Sequence, residues 1–118
     1  MALQLARGYR DSGRARDLHD SVSDFARDHG LERSEIDHWI VHPGGRRIIE
    51  NVQSALELSH EDAEVSWDAL AAHGNIGTPS IFYVLADTIA RREPAPGERG
   101  LMVTIGPGVT VGLMLLGW

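Results

Sequence analysis

The stretch WIVHPGGRR at positions 39–47 decides the fold of this chain, because it leads from a strand through a glycine pair into a helix. Its aromatic and β-branched residues predict a short buried strand over His38–His42, which Pro43-Gly44-Gly45 ends. Apolar residues at helical spacing predict a helix directly afterwards: Ile48, Ile49, Val52, Ala55 and Leu56. A His at the end of a buried strand, followed by glycines that let a ligand approach the backbone, is typical of site-bearing loops in α/β proteins.

Helices dominate the chain on both sides of this stretch. A polar run over residues 7–20 leads into a helix predicted over 17–29, where the apolar residues share one face. Ser59–Asp62 predicts a helix start, and Val65–Ala72 a short helix. A longer helix is predicted over Thr78–Arg92, with an apolar face suited to burial on two sides. This last helix is therefore expected to need another layer that the chain itself does not supply.

The C-terminal part of the chain predicts two strands. Arg91–Gly100 is a solvated linker with two Pro and two Gly, and apolar runs follow at Leu101–Ile105 and Val109–Leu116. Gly106-Pro107-Gly108 between them predicts a tight turn. The full order of helix, strand, helix, short helix, long helix, strand, strand predicts an α/β fold. We expect a small sheet covered by helices, with residues 1–118 forming one domain.

Composition excludes several classes of function. Eleven Lys plus Arg against 17 Asp plus Glu give a net charge of −6, which argues against a nucleic-acid or anionic-membrane surface. The first residues lack the apolar run of a secretory signal. The longest apolar stretch, Val109–Trp118, is far shorter than the ~20 residues of a membrane helix. These features predict a cytoplasmic protein.

Metal and thiol chemistry find little support in the residues. The chain has no Cys, which excludes a disulfide, a thiolate metal site and a Cys nucleophile within it. Of its six His, His38 and His42 are four apart, but on a strand this spacing separates them by about 13 Å. No further ligand stands at a suitable spacing, so no metal site is predicted.

A second segment draws attention beside the His42 loop. In AHGNIGTPS, residues 72–80, Asn75 lies between glycines at the start of the long helix. Taken singly, a strand-end His is more often structural than catalytic, and a Gly-Asn pair is more often a turn. Each segment alone is therefore weak evidence for a site.

Together and in this order, the two segments and the Gly-Pro-Gly turn resemble one family. His-Pro-Gly-Gly after an apolar strand, Gly-Asn about 30 residues later and Gly-Pro-Gly between two terminal strands are similar to the C-terminal half of a type III polyketide synthase. These enzymes are the chalcone-synthase-like members of the thiolase superfamily. The resemblance implies the C-terminal half of a thiolase-like α-β-α layered fold. The Arg-only set of basic residues suggests a bacterial origin.

The resemblance also implies roles for individual residues. The family uses a Cys-His-Asn triad, and His42 and Asn75 stand at the matching positions, while the Cys belongs to an N-terminal half that is absent here. Gly44, Gly45 and Arg47 match the backbone that meets the coenzyme A arm. The substrate pocket is matched by Gly77 and by Gly106, Pro107 and Gly108. Gly77-Thr78-Pro79 departs from the small hydroxyl residues usual in plant members, which affects the starter and product but not the reaction class.

The implied activity is a decarboxylative condensation of an acyl-CoA starter with malonyl-CoA. The resemblance implies no cofactor or metal, and the coenzyme A thioesters are the substrates. The implied partners are the N-terminal half of the same enzyme and, in the complete protein, a second copy in a homodimer. Because the Cys is missing, two alternatives stay open: a non-catalytic half-domain that binds acyl-CoA or docks onto a partner, and an isolated fragment.

Overall fold

The computed structural model of the chain describes residues 4–11, 15–106 and 110–118. Four strands and four α-helices follow one another, with one short 3₁₀ helix at Arg33–Glu35. They are β1 (Gln4–Asp11), α1 (Ala15–Asp28), β2 (His38–Val41), α2 (Arg46–Leu56), α3 (His60–His73), α4 (Thr78–Arg92), β3 (Arg99–Gly106) and β4 (Thr110–Gly117). None of the helices within these ranges is long and apolar enough to cross a membrane.

The four strands form one mixed sheet in the order β1-β4-β3-β2. β4 pairs antiparallel with both β1 and β3, whereas β2 runs parallel to β3. The β2–β3 register sets His38 opposite Gly100 and Val41 opposite Val103. β2 is therefore an edge strand of the described sheet, and its carboxyl end delivers the chain to His42.

Each face of the sheet carries its own hydrophobic core, because alternate residues of a strand point to opposite faces. On one face, α1 and α2 pack against strand residues that include Val41, Val103 and Leu113. On the other face, α3 and α4 pack against Ile40, Met102 and the rest of a smaller cluster. The described residues thus form helix, sheet and helix layers, which confirms the predicted α/β layering.

The structure corrects the sequence analysis at two places. β1, which extends into the start of the N-terminal polar run, was not predicted, because two Arg, a Gly and an Asp interrupt its apolar alternation. Backbone pairing with β4 along its whole length makes it a strand. The short helix expected at Val65–Ala72 is a full helix of 14 residues, α3. Ser59 begins it with a capping box in which Ser59 Oγ accepts from the Asp62 N–H.

α4 is buried on one side, and the second side of its apolar face stays largely exposed, as expected of a helix that needs a layer from outside these residues. Ile81, Val84 and Thr88 are fully or nearly fully buried against the sheet and α3. On the opposite side, Phe82 is 56% exposed and Tyr83 46% exposed. The ring of His73 in α3 stacks on Tyr83 with the ring centroids 4.9 Å apart, while Phe82 and Ala86 stay exposed.

Candidate active site

The backbone of β2 and β3 places His42 at the end of the sheet. The His42 N–H donates to the Val103 carbonyl at 2.9 Å, which continues the β2–β3 ladder one residue past Val41. Pro43 then ends the strand, since it has no N–H to donate. The Gly44 N–H turns back to the His42 carbonyl at 2.9 Å, and α2 begins at Arg46. The backbone of His42 is therefore held by β3, and only a short loop separates it from α2.

The His42 imidazole is half-buried, and burial lowers its pKa from the ordinary value of 6.5. Its Nδ1 atom is buried and has no hydrogen-bond partner among the described residues. A buried N–H without an acceptor is costly, so the neutral ring is better accommodated with its proton on Nε2. The site therefore favours a neutral His42 whose Nε2–H is available as a donor.

Gly44 lies directly against the His42 ring. A Cβ atom at Gly44 would come within 3.2 Å of His42 Cδ2 and 3.5 Å of Nε2. The absence of a side chain there leaves the Nε2 side of the ring open. A side chain at position 44 would therefore push against the His42 ring.

The side chain of Asn75 bridges the two candidate loops. Asn75 Oδ1 accepts from the Gly77 N–H at 3.0 Å, which orients the amide within its own turn. Asn75 Nδ2 donates to the Gly44 carbonyl at 3.3 Å, across 31 residues of sequence. An amide nitrogen carries two hydrogens, so Nδ2 keeps a second N–H for a ligand. The imidazole of His42 and the amide of Asn75 thus both lie beside Gly44.

The remaining predicted site residues surround this pair to different extents. Gly45 and Gly77 are the N-cap residues of α2 and α4, with φ values of 139° and 82°. Arg47 is exposed in the first turn of α2. Gly106 is the last residue of β3, whereas Pro107 and Gly108 lie outside the described residues, as does the turn predicted there.

His38, the other member of the His pair, has a structural partner. Its Nε2–H donates to Glu98 Oε1 at 3.1 Å, and its ring meets Trp118 edge-on at 5.7 Å. The N–H of Ala95 and then the His38 ring lower the pKa of the Glu98 carboxyl by bonding its charged form. Within the described ranges, no three His, Cys, Asp or Glu side chains come together as metal ligands do.

Two buried serines that the sequence did not single out contact the backbone of the site loops. Ser66 in α3 bonds the carbonyl of Val41, and Ser80 in α4 bonds the N–H of Ile76. A serine inside a helix leaves no periodic signal, because only the neighbouring segment shows what its hydroxyl reaches. Ser59 could be found in the sequence because Ser59 and Asp62 have the spacing of a capping box, whereas Ser66 and Ser80 belong to no such motif.

Comparison with protein families gives one match over most of the chain. Residues 26–118 match the family described as 3-oxoacyl-[acyl-carrier-protein (ACP)] synthase III C terminal. The match includes both loops of the candidate site.

Similar curated proteins are synthases by name. A 1,3,6,8-tetrahydroxynaphthalene synthase from Streptomyces peucetius is 38% identical over 86% of this chain and 27% of that protein. An alpha-pyrone synthesis polyketide synthase-like protein from Mycobacterium tuberculosis is 42% identical over 80% of this chain and 24% of that protein. The chain thus spans about a quarter of the length of these relatives.

Solved structures show the same fold. The crystal structure of PKS-I from the brown alga Ectocarpus siliculosus matches with a TM-score of 0.78 and 37% identity, over 87% of this chain and 29% of that one. The 1,3,6,8-tetrahydroxynaphthalene synthase of Streptomyces coelicolor, a bacterial type III polyketide synthase, matches with a TM-score of 0.86 and 23% identity, over 98% of this chain and 41% of that one. These matches confirm the predicted C-terminal half of a thiolase-like α-β-α arrangement.

Proposed function

The chain belongs to the family of 3-oxoacyl-[acyl-carrier-protein] synthase III C-terminal domains and resembles the C-terminal part of type III polyketide synthases, and from this premise we propose that it supplies two catalytic groups of a decarboxylative condensation. The substrates are an acyl-CoA starter and malonyl-CoA. One observation carries the proposal: the His42 imidazole and the Asn75 amide, which come from different loops, both lie beside the same residue, Gly44.

Decarboxylation requires stabilisation of an enolate. When the bond between the malonyl α-carbon and its carboxylate breaks, CO₂ leaves and the electron pair moves through the α-carbon onto the thioester oxygen. Two fixed donors at that oxygen stabilise the charge where it develops, and loss of one such donor typically costs ~3–4 kcal/mol. The Nε2–H of His42 and the free Nδ2–H of Asn75 are the proposed donors.

The environment of His42 supports this role. The lowered pKa keeps the ring neutral, so it donates a hydrogen bond without delivering a proton that would quench the enolate. The enolate carbon then attacks the acyl group, and the thiolate that carried this group leaves. The chain has no Cys, so that thiolate comes from outside these 118 residues.

The loop geometry supports the proposed substrate contacts. Gly44, Gly45 and Arg47 lie at the start of α2, where Gly45 provides no side-chain cap and the helix has no acidic residue in its first turn. Exposed backbone N–H groups and an Arg at a helix start favour an anion such as a coenzyme A phosphate. At Gly77, no heavy atom lies within 4 Å of the position that a Cβ would occupy, which leaves room for a substrate chain there. We assign Gly106, Pro107 and Gly108 to the same pocket by resemblance.

The outer side of α4 supports docking of the N-terminal half. Pro79, Phe82, Tyr83 and Ala86 line a shallow open groove of about 480 Å³. Exposed apolar surface of this kind is typical of a face that another layer covers. In the complete protein we expect a cytoplasmic homodimer in which each site receives its Cys from the N-terminal half.

A second candidate is a non-catalytic half-domain that binds acyl-CoA or docks onto a partner. The absence of Cys favours it for this chain as it stands, because no acyl-enzyme can form without a thiolate. It shares the loop contacts of the first candidate but predicts no decarboxylation with any partner. Activity of an assembled enzyme therefore separates the two.

The test joins this chain to the Cys-bearing N-terminal part of a type III polyketide synthase, in place of that enzyme's matching C-terminal region. Release of labelled CO₂ from malonyl-CoA measures decarboxylation. His42→Ala and Asn75→Ala should each slow it by roughly 10²–10³, the usual loss for one oxyanion donor. The matched controls His60→Ala and Asn51→Ala replace exposed residues of the same types outside the site.

Three outcomes would contradict the proposal. Condensation by the isolated chain would show that no external thiol is needed. Equal rates in the site variants and their controls would remove both residues from the chemistry. Acyl-CoA binding without decarboxylation in the folded assembly would favour the half-domain.

A further inference from the structure

We propose that two buried serines, Ser66 and Ser80, are positioning residues that hold His42 and Asn75 in place by bonding the peptide group beside each. The inference rests on the proposed function, but it concerns residues outside the catalytic pair. Ser66 is 1% exposed and Ser80 is 2% exposed. Each belongs to a different helix: Ser66 reaches Val41, the last residue of β2, and Ser80 reaches the loop that carries Asn75.

Ser66 acts on the peptide group that joins Val41 to His42. Its Oγ donates to the Val41 carbonyl at 2.7 Å, while the N–H at the other end of the same peptide group donates to the Val103 carbonyl at 2.9 Å. Both polar ends of this peptide group are therefore occupied, one by α3 and one by β3. These two hydrogen bonds fix the orientation of the peptide group that precedes the Cα atom of His42.

The Val41 carbonyl needs such a partner because of its place in the sheet. The His42 N–H points toward β3, so the carbonyl of the same peptide group points to the free edge of β2. A buried carbonyl without a partner costs free energy, and the described sheet has no further strand there to supply one. The hydroxyl of Ser66 takes the place of that missing strand.

The geometry of Ser66 differs from that of an ordinary helical hydroxyl. Inside a helix, Ser and Thr commonly bond the carbonyl four residues earlier, as Thr88 does with Val84 at 2.7 Å. Ser66 instead bonds a carbonyl 25 residues away in the neighbouring strand. Its hydroxyl thus joins two elements, and one of them ends at His42.

Ser80 acts on the peptide group that joins Asn75 to Ile76. Its Oγ accepts from the Ile76 N–H at 2.9 Å, and the Ser80 N–H donates to the Gly77 carbonyl at 2.9 Å. The turn that carries Asn75 is thereby closed onto the first turn of α4. The Asn75 amide can then face Gly44 and still keep one N–H for the substrate.

A comparison of Ser66→Ala with Ser80→Ala in this chain tests the inference by NMR and requires no measurement of enzyme activity. The readout is the set of imidazole ¹⁵N shifts of His42 and its titration midpoint, measured by NMR. Ser66→Ala should shift both, because the peptide group beside His42 loses one of its two anchors. Ser80→Ala should leave His42 unchanged and move the side-chain amide signals of Asn75. Ser21→Ala, a buried serine of α1, should move neither set.

The assembled enzyme then tests the consequence for the reaction. Ser66→Ala and Ser80→Ala should each lower kcat of decarboxylation about tenfold, which is the loss expected for one buried hydrogen bond and a displaced donor. Ser66→Thr and Ser80→Thr, which keep the hydroxyl, should recover most of it. Ser21→Ala should retain the parent rate, with thermal unfolding recorded for every variant.

Failure of this inference is distinguishable from failure of the proposed function. If His42→Ala abolishes decarboxylation while Ser66→Ala changes neither the His42 signals nor the rate, Ser66 has no positioning role and the proposed function stands. If His42→Ala leaves the rate unchanged, the proposed function is wrong. In that case the NMR comparison alone tests whether Ser66 and Ser80 position His42 and Asn75. Unaltered His42 and Asn75 signals in both Ala variants would overturn the positioning roles.

Discussion

Helices α2 and α4 are built alike at both ends. Each begins after a glycine with positive φ, 139° at Gly45 and 82° at Gly77. Each ends at a glutamate in the left-handed conformation, Glu57 in one and Glu93 in the other. Each also follows directly on one loop of the candidate site. The two helices are therefore comparable units, and their difference lies on the sides that face away from the sheet.

The outer side of α2 is polar and that of α4 is apolar. The exposed residues of α2 are Arg46, Arg47, Glu50, Asn51 and Ser54. Those in the first half of α4 are Pro79, Phe82, Tyr83 and Ala86. Charged side chains lose little by facing water, whereas a cluster of aromatic and aliphatic side chains gains by being covered. The comparison supports the proposal that a further layer covers α4, whereas the outer side of α2 is suited to water.

The largest effect is expected from a charge on the outer side of α4. Phe82→Asp should weaken binding of the N-terminal half by ~30-fold or more, because a buried aromatic anchor is worth about 2 kcal/mol or more. Asn51→Asp adds the same charge to the outer side of α2 and should have no such effect. Titration calorimetry measures both affinities. Equal affinities for the two variants would show that α4 is not the docking surface.

The glycines before the two helices should be about equally sensitive to a side chain. Gly45→Ala and Gly77→Ala each force a side chain into a positive-φ conformation and should lower the free energy of unfolding by about 1–3 kcal/mol. Urea denaturation measures the loss. The same strain means that any larger residue at Gly77 has to be compared with Gly77→Ala and not with the parent.

Gly44→Ala is the matched control for this pair, because Gly44 is not among the positive-φ glycines. It should lose less stability than Gly45→Ala, yet it should displace the His42 ring that it contacts. The His42 NMR signals report that displacement. If Gly44→Ala lost as much free energy of unfolding as Gly45→Ala and Gly77→Ala, positive φ would not be the cause of the loss in those two variants.

The C-terminal ends of α2 and α4 offer a gain in stability. Glu57→Gly and Glu93→Gly should each raise the free energy of unfolding by roughly 0.5–1 kcal/mol, because glycine adopts the left-handed conformation without a Cβ clash. Thermal denaturation of the two variants measures it. A gain at only one end would break the similarity between the helices, and a loss at both would show that the Glu side chains contribute contacts of their own.

The smallest effect is a change in how stability depends on pH. Because the pKa of His42 is lowered in the folded state, the unfolded chain binds a proton first as the pH falls below 6.5. The free energy of unfolding should therefore decrease between pH 6.5 and the lower pKa of folded His42, and it should be unaffected by this group above pH 6.5. His42→Gln should flatten the curve in that window.

Glu98 provides the control for the pH measurement. Its pKa is also lowered in the folded state, so its contribution is present above the ordinary value of 4.5 and is lost as the pH falls through the folded pKa. Glu98→Gln should alter the slope only in that lower range. If Glu98→Gln also flattened the upper window, the dependence could not be assigned to His42.

Periodic segments could be predicted from the sequence, and segments defined by their partners could not. The positions of α2, β3 and β4 follow from apolar spacing within each segment. β1 is a strand because all of its residues pair with β4, and no local pattern in residues 4–11 predicts this pairing. The apolar residues of α4 predict that it needs cover, but which side the sheet buries depends on how the helix docks.

The sequence by itself determined the α/β order of elements, the strand that ends at His42, and the glycines that begin the two helices. These are local properties, since side-chain spacing and backbone freedom act over a few residues. Only the tertiary structure decided that Asn75 reaches the Gly44 carbonyl, that burial lowers the pKa of His42, and that Ser66 and Ser80 contact the site loops. Hydrogen bonding and desolvation depend on which distant atoms meet, and these meet only after α3 and α4 pack onto the sheet.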